Sequence, residues 1–176
     1  MNAGLKKQLE SAKKASYQLS SSSTEQRNAA LQALIKHLQK GKLAILKANR
    51  KDVAKKNKDD ALVDRLLLTE KRIDAICADI KAIIGLPDPL NISFDKADRP
   101  SGLRLKKVTV PLGTIAIVYE SRPNVTVDIS SLCIKSGNTV ILRGGSDAYA
   151  TNQVLAKLIQ AALKDASLDP HGVQLM

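Results

Sequence analysis

The sequence predicts an α/β protein, with an N-terminal helical segment followed by part of a doubly wound, Rossmann-like parallel sheet. Apolar residues recur at helical spacing through the first half of the chain. From Pro111 onward, short apolar runs alternate with helical stretches in the order strand, helix, strand, helix, strand. We therefore divide the chain into a helical segment (1–86), a connection with an edge or arm strand (87–110) and the first part of an α/β domain (111–176).

Amphipathic helices are predicted in the first segment. Ser23 offers an N-cap, and Gln26 three residues later completes a capping-box pattern. The apolar residues that follow form one stripe near helical spacing: Leu31, Leu34, Ile35, Leu38, Ile45 and Leu46. A second stripe, ended by Gly85 and Pro87, comprises Ile73, Ile76, Cys77, Ile80, Ile83 and Ile84. Because Cys77 lies on that stripe, we expect it to pack in the core and not to act as a nucleophile.

The middle of the chain changes character twice. The stretch "LPDPLNISFDKADRPSG" is rich in turn-forming residues and predicts an irregular connection. "LRLKKVTV" then alternates in the manner of an exposed or edge strand. The following "GTIAIVY" is continuously apolar, which predicts a parallel strand covered on both faces. A helix is expected after it, from about Val125 to Ser136.

The last part of the chain repeats this alternation. "NTVILR" predicts a second buried strand, and "GGSDA" predicts a tight loop in which Ser146 or Asp147 caps the next helix. That helix carries the apolar residues Val154, Leu155, Leu158, Ile159, Ala162 and Leu163. "VQLM" opens a third strand that stops at Met176. Two or three parallel strands make a poor, open-edged sheet, so we expect the chain to be an N-terminal piece of a larger protein.

The net charge of +11 belongs to the first part of the chain. Residues 1–107 carry 23 Lys and Arg against 12 Asp and Glu, whereas residues 108–176 carry five of each. The basic residues are spread along helical faces, and no Trp, one Phe and three Tyr leave no platform on which bases could stack. We therefore expect no nucleic-acid partner, and a basic nucleic-acid-binding protein is kept only as a minor alternative.

Composition also bears on the compartment. No apolar run approaches the roughly 20 residues that span a bilayer, and the lysine-rich N-terminus lacks the apolar core of a secretory signal. Cys77 and Cys133 have no CxxC spacing, which indicates reduced thiols. A cytoplasmic protein that does not contact membranes is expected.

The residues that follow each apolar strand are the candidates for a site, because ligands of parallel α/β sheets gather at the carboxyl ends of the strands. One loop spans residues 120–126, where Asn124 either presents its side-chain amide or caps the next helix. The other spans residues 143–147, where Arg143 followed by Gly144 and Gly145 suits an anion.

The remaining cysteine and the two histidines are weaker candidates for a functional site. Cys133 lies within the predicted helix and is expected to pack against the sheet. His37 and His171 have no neighbours at metal-ligand spacing, so no metal site is predicted.

Taken together, "VPLGTIAIVYESRPNVTVDISSLCIKSGNTVILRGGSDA" resembles the N-terminal part of the gamma-glutamyl phosphate reductase (glutamate-5-semialdehyde dehydrogenase) family, within the aldehyde dehydrogenase superfamily. "KKASYQLS", "ANRKDVA", "DRLLLT" and "SGLRL" stand in the order expected for that family. The resemblance covers all 176 residues but under half of the usual chain of the family. It implies the second step of proline biosynthesis, in which NADPH reduces gamma-glutamyl phosphate to glutamate 5-semialdehyde and phosphate is released.

The resemblance also implies roles for residues. Asn124 looks like the oxyanion-hole asparagine of the superfamily, and its donor would be worth about 3 kcal/mol. Arg143 looks like the basic residue that reaches the adenine ribose. Ser146 stands where NAD-preferring relatives often place Glu, which favours NADPH over NADH. Glu120 and Arg122 are candidates for shaping the substrate site.

In the family mechanism a cysteine thiolate displaces phosphate to give a thioester, which hydride from NADPH then reduces. That cysteine comes from a later domain, so we expect no turnover by the 176-residue chain alone. Relatives usually associate, and a homo-oligomer is expected for the full-length protein. A stand-alone nucleotide-binding module without catalysis is the alternative from another functional class.

Overall fold

The computed structural model describes residues 3–56 and 63–176 of the chain. Within these residues, five helices come first: α1 (Ala3–Ser21), α2 (Thr24–Lys40), α3 (Lys42–Val53), α4 (Val63–Leu66) and α5 (Glu70–Gly85). The antiparallel strands β1 (Ser93–Asp98) and β2 (Arg104–Val108) follow. The remainder alternates as β3 (Thr114–Val118), α6 (Pro123–Lys135), β4 (Thr139–Arg143), α7 (Tyr149–Asp165) and β5 (Val173–Leu175). The described part of the chain contains no helix that is long and apolar enough to cross a membrane.

Strands β3, β4 and β5 form a parallel sheet in that order, so the predicted α/β class is confirmed. Helices α1, α6 and α7 pack on this sheet. The central strand β4 is buried along Thr139–Leu142, as expected for "NTVILR". The prediction that β3 is covered on both faces is wrong, because Thr114, Ala116 and Val118 are exposed and Val118 is 81% accessible. Within the described sheet, β3 is an edge strand that has β4 as its one neighbour.

The helices are built as their patterns predict, with one interruption. Ser23 caps α2 in a capping box with Gln26. The stripe predicted as continuous is divided between α2 and α3 at Gly41, where an added Cβ would lie 3.0 Å from Leu158 of α7. Cys77 lies in the core, as expected from its place on the stripe of α5.

Three predictions about local structure are corrected. The connection contains a strand, β1, because "SFDKAD" pairs with β2 across a turn in which Gly102 has φ +81°. Helix α6 begins at Pro123, two residues before the expected start, because proline is favoured in the first turn of a helix. Neither Ser146 nor Asp147 caps α7; both lie in a short 3-10 turn, Ser146–Ala148, that precedes it.

A buried polar cluster connects the helical segment to the α/β part. Arg27 is 2% exposed, and its guanidinium donates to Asp88 Oδ2 at 2.7 Å and to the Ser22 carbonyl at 2.6 Å. The Lys135 ammonium of α6 donates to Asn28 Oδ1 at 3.0 Å and to the Ile84 carbonyl at 2.9 Å. Burial lowers the pKa of Lys135. These bonds satisfy charges that are costly to bury alone.

Candidate functional site

The carboxyl ends of β3 and β4 bring the two predicted loops together. The Tyr119 amide, just past β3, donates to the Arg143 carbonyl at 3.1 Å, which extends the pairing of the strands by one bond. The Tyr119 hydroxyl lies 2.7 Å from Thr126 Oγ1, which in turn donates to Asn152 Oδ1 at 2.9 Å. This buried chain joins the first loop to α6 and α7, and burial raises the pKa of Tyr119.

Gly144 and Gly145 allow the second loop to approach the first. A Cβ at Gly144 would lie 2.4 Å from Asn152 Nδ2 and 2.9 Å from the Tyr119 hydroxyl. A Cβ at Gly145 would lie 2.2 Å from Ser121 Oγ. Neither glycine has a positive φ, so what the loops require here is space and not left-handed backbone. The pair of glycines therefore places the side chains of one strand end directly against the other.

Asn124 is the second residue of α6 and does not cap it, because the N-cap is Arg122 and no side chain makes the cap bond. Its Nδ2 donates to Asp128 Oδ2 at 3.1 Å, one helical turn later. This bond uses one of the two amide hydrogens and fixes the orientation of the side chain. Burial raises the pKa of the Asp128 carboxyl, the bond from Asn124 opposes this, and the nearby Asp79 raises it further.

Glu120 and Arg122 lie in the same loop as Asn124. The Glu120 carboxylate is 3.4 Å from Arg65 of the α4 turn and 3.8 Å from Arg122 Nε. That Nε is buried and has no hydrogen-bond partner among the described residues. Arg122 is thus a cation whose bonding capacity is largely unused.

A cleft of about 330 Å³ opens beside these residues. Its walls are α4, α5 and the start of α6, and its lining comprises Asp64, Arg65, Leu67, Leu68, Arg72, Ala75, Ile76, Asp79, Arg122 and Asn124. A smaller cavity of about 160 Å³ lies between the two strand-end loops, where Arg65, Glu120, Ser121 and Asp147 line it. Both are lined in part by residues that follow β3, and ligands of parallel α/β folds bind at the carboxyl ends of the strands.

The second loop presents Arg143 and Ser146 to solvent. Among the described residues, the Arg143 guanidinium has no hydrogen-bond or ion-pair partner. The neighbouring Asp147 lies 2.8 Å from Lys56 Nζ, and this contact, opposed by desolvation, lowers the pKa of Asp147. A basic side chain therefore projects freely beside a carboxylate that is already neutralised.

Sequence reasoning missed the residue that supports this loop. Asp52 of α3 is fully buried and accepts hydrogen bonds from Thr151 N at 2.8 Å, Thr151 Oγ1 at 2.7 Å and Ala150 N at 3.3 Å. Asp52 thereby accepts hydrogen bonds from backbone amides in the first turn of α7, which neither Ser146 nor Asp147 caps. No local pattern could identify it, because cap motifs describe residues adjacent to the helix.

Both cysteines are buried and unpaired. Burial raises the pKa of Cys77, and it raises that of Cys133 to about 11. Cys133 lies in the core cluster, as expected. In the part of the chain that the structure describes, no group of three or more His, Cys, Asp or Glu is arranged to hold a metal ion.

The chain is similar over its whole length to gamma-glutamyl phosphate reductases. The protein of that name from Pelodictyon phaeoclathratiforme is 43% identical over 176 residues, which are 100% of this chain and 42% of the relative. The crystal structure of gamma-glutamyl phosphate reductase from Thermotoga maritima superposes with a TM-score of 0.95 at 39% identity, over 98% of this chain and 42% of that one. The chain thus corresponds to the N-terminal part of these relatives and spans about two fifths of their length. No protein-family model matches it.

More distant structures share the fold alone. A putative aldehyde dehydrogenase from Bacillus subtilis superposes with a TM-score of 0.73 at 18% identity, over 98% of this chain and 35% of that one. A glyceraldehyde-3-phosphate dehydrogenase from Methanocaldococcus jannaschii, solved in complex with NADP, gives a TM-score of 0.65 at 17% identity, with coverages of 97% and 35%. The fold is that of the N-terminal part of gamma-glutamyl phosphate reductases and aldehyde dehydrogenases.

Proposed function

We propose that this chain supplies the cofactor-binding and oxyanion-binding part of a gamma-glutamyl phosphate reductase. The reaction is the NADPH-dependent reduction of gamma-glutamyl phosphate to glutamate 5-semialdehyde with release of phosphate, the second step of proline biosynthesis. One observation carries the proposal: Asn124, at the start of the helix that follows β3, and Arg143, the last residue of the adjacent parallel strand β4, lie in a chain that is similar to these reductases over its own whole length. In this proposal residues 111–176 begin the cofactor domain, residues 1–86 form its helical support and residues 87–110 form the connection and arm.

Asn124 is proposed as the oxyanion donor. The bond to Asp128 fixes its amide and leaves the second Nδ2 hydrogen for a ligand in the cleft. A donor that is already oriented stabilises the charge that develops on the acyl oxygen without reorganisation, and such a donor is typically worth about 3 kcal/mol. Glu120 and Arg122 are proposed to shape the substrate side of the same site.

The residues of the second loop fit a dinucleotide phosphate. Arg143 is exposed and unpaired within the described residues, Ser146 adds no negative charge, and Asp147 is neutralised by Lys56. We propose that Arg143 pairs with the 2′-phosphate of NADPH and that the uncharged Ser146 does not repel this phosphate. Gly144 and Gly145 allow the loop to pack closely against the loop that follows β3. The cofactor, when bound, supplies the hydride of the reaction.

The thiol nucleophile of the proposed reaction is neither cysteine of this chain. A thiol whose pKa is raised by burial stays protonated at neutral pH and is a poor nucleophile, and both Cys77 and Cys133 are of this kind. We therefore expect no semialdehyde formation by the purified 176-residue chain. Measurable turnover by that chain, followed as oxidation of NADPH with gamma-glutamyl phosphate, would overturn this assignment.

Two further proposals concern the state of the protein. The hairpin β1–β2 is exposed along its whole length and presents Phe94, Leu105 and Val108 to solvent. Apolar side chains on a projecting hairpin favour burial against another subunit, which supports a homo-oligomer for the complete enzyme. The two unpaired thiols support a reducing, cytoplasmic location.

The test is a fluorescence titration of the chain with NADPH and with NADH at fixed moderate salt. We expect saturable binding that prefers NADPH, and we expect Arg143→Ala to weaken NADPH binding by about tenfold while changing NADH binding less. Arg104→Ala, which removes the same charge from the exposed hairpin, is the matched control and should leave both affinities unchanged. Equal affinities for the two nucleotides, or equal losses in the two variants, would contradict the assignment of Arg143.

A further inference from the structure

We propose that the cleft between α4, α5 and the start of α6 binds the amino-acid head group of the substrate, with Arg122 on the α-carboxylate and Asp79 on the α-ammonium. The inference rests on the proposed function, because it takes the substrate to be a glutamyl compound whose acyl carbon lies at Asn124. It adds a specificity-determining pair, and Asp79 is a residue that no sequence pattern singled out.

Most charges around the cleft already have partners. Arg72 donates to the Leu67 carbonyl at 2.7 Å and to Asp64 Oδ1 at 2.7 Å, so both Arg72 and Asp64 are used in holding the α4 turn. Arg65 pairs with Glu120 at 3.4 Å. The charges of Asp64, Arg65 and Arg72 are therefore already used in contacts within the protein.

Two lining charges remain, and they have opposite signs. Arg122 Nε has no hydrogen-bond partner, and its sole ion-pair contact in the described chain is Glu120 at 3.8 Å. Asp79 has neither a hydrogen bond nor an ion pair among the described residues. An α-amino acid carries one carboxylate and one ammonium on the same carbon, so a cleft with one available cation and one available anion matches that head group.

The surroundings of Asp79 favour a cation. Asp128 lies close enough that its pKa, raised chiefly by burial, is raised further by the Asp79 charge. A bound ammonium would relieve this repulsion between two carboxylates, whereas a bound anion would increase it. The neighbouring Arg122 supplies the attraction for the carboxylate of the same ligand.

The size and lining of the cleft suit a short aliphatic chain. Its volume of about 330 Å³ lies at the lower end of the range for small-molecule sites. Leu67, Leu68, Ala75 and Ile76 provide apolar surface for methylene groups. Asn124 lines the same cleft, so a ligand held by its head group extends its side chain toward the proposed oxyanion donor.

The experiment is an NMR titration of the ¹⁵N-labelled chain with three probes that differ by one group each. L-Glutamate has both head-group charges, glutarate lacks the ammonium, and 4-aminobutyrate lacks the α-carboxylate. We expect shifts at amides of α5 and of the first turn of α6, and an affinity for L-glutamate about tenfold higher than for either analogue.

Variants assign the two charges. Asp79→Asn should remove the preference for L-glutamate over glutarate, and Arg122→Gln should remove its preference over 4-aminobutyrate. Asp98→Asn makes the same charge change on the exposed hairpin and should alter neither preference.

The outcomes separate this inference from the proposed function. Equal binding of L-glutamate and glutarate, an unchanged preference in Asp79→Asn, or the absence of shifts in the cleft would overturn the head-group assignment. If NADPH still binds in that case, the proposed function stands without it. If L-glutamate binds selectively but neither nucleotide binds, the head-group site stands and the cofactor assignment fails.

Discussion

Asp52 offers the sharpest test of how the helical segment supports the site. Its carboxylate is fully buried and accepts two short bonds from Thr151, at 2.8 and 2.7 Å, and a longer one from Ala150 N at 3.3 Å. Hydrogen bonds to a charged acceptor contribute roughly 1.5–3 kcal/mol each, and the cost of burying the carboxylate offsets part of that sum. We therefore expect Asp52→Ala to lower the free energy of unfolding by about 3 kcal/mol, because two backbone amides and the Thr151 hydroxyl at the start of α7 lose this acceptor.

Urea denaturation measures this loss directly. With a slope of about 2 kcal/mol per M, a loss of about 3 kcal/mol moves the midpoint down by about 1.5 M. Asp52→Asn retains one acceptor oxygen, which can keep the two bonds from Thr151 but not the one from Ala150 N, so its midpoint should lie between those of the wild type and the alanine variant. Asp74→Ala is the control, because its carboxylate is 55% exposed and pairs with Lys42 at the surface.

The same substitution should also affect the proposed cofactor loop. The 3-10 turn Ser146–Ala148 leads directly into the end of α7 that Asp52 holds. We expect Asp52→Ala to weaken NADPH binding in the absence of urea, under conditions in which the variant is still folded. A midpoint that moves no further than that of Asp74→Ala would refute the reasoning, since the buried bonds would then contribute no more than a surface pair.

Three further predictions concern single contacts. Gly145→Ala should lower stability and NADPH affinity because its Cβ would lie 2.2 Å from Ser121 Oγ, and adding Ser121→Ala should recover part of both in thermal-melt and titration experiments. Asp88→Asn should reduce the loss of stability at acid pH. Burial raises the pKa of the Asp88 carboxyl, but its hydrogen bonds and its ion pair with Arg27 outweigh burial and lower the pKa. The ionised carboxylate therefore stabilises the fold above pH 3.8, and this stabilisation is lost as the pH falls below that value. Urea midpoints of the wild type and of this variant that fall in parallel below pH 3.8 would exclude such a role. Asp128→Leu should not lower the urea midpoint at pH 7. Burial raises the pKa of the Asp128 carboxyl, so the protonated form that favours the folded state is lost as the pH rises through that pKa. A lower midpoint would show instead that the hydrogen bond from Asn124 outweighs the cost of burying the carboxylate.

The sequence predicted the elements whose signal is local. The capping box at Ser23, the buried strand "NTVILR" and the core position of Cys77 each follow from residues within one or two turns. The errors arose where the outcome depends on distant partners. The strand "GTIAIVY" has the composition of a strand covered on both faces, yet composition cannot say what lies beside it, and in the described sheet its outer face is exposed. Strand β1 exists because it pairs with β2, although its own residues carry little strand signal.

The position of the candidate site depends on the same kind of long-range contact. Side chains of the helical segment reach the loops at the strand ends and the start of α7. Asp52 binds the start of α7, Lys56 pairs with Asp147 at 2.8 Å, and Arg65 pairs with Glu120 at 3.4 Å. Each contact neutralises or caps a group that the strand-end loops leave unsatisfied. Among the described residues at this site, the charges of Arg143, Arg122 and Asp79 remain available to a ligand. Basic residues of the helical segment therefore neutralise acidic residues of the strand-end loops. The cleft presents charges of both signs, although the chain as a whole has a net charge of +11.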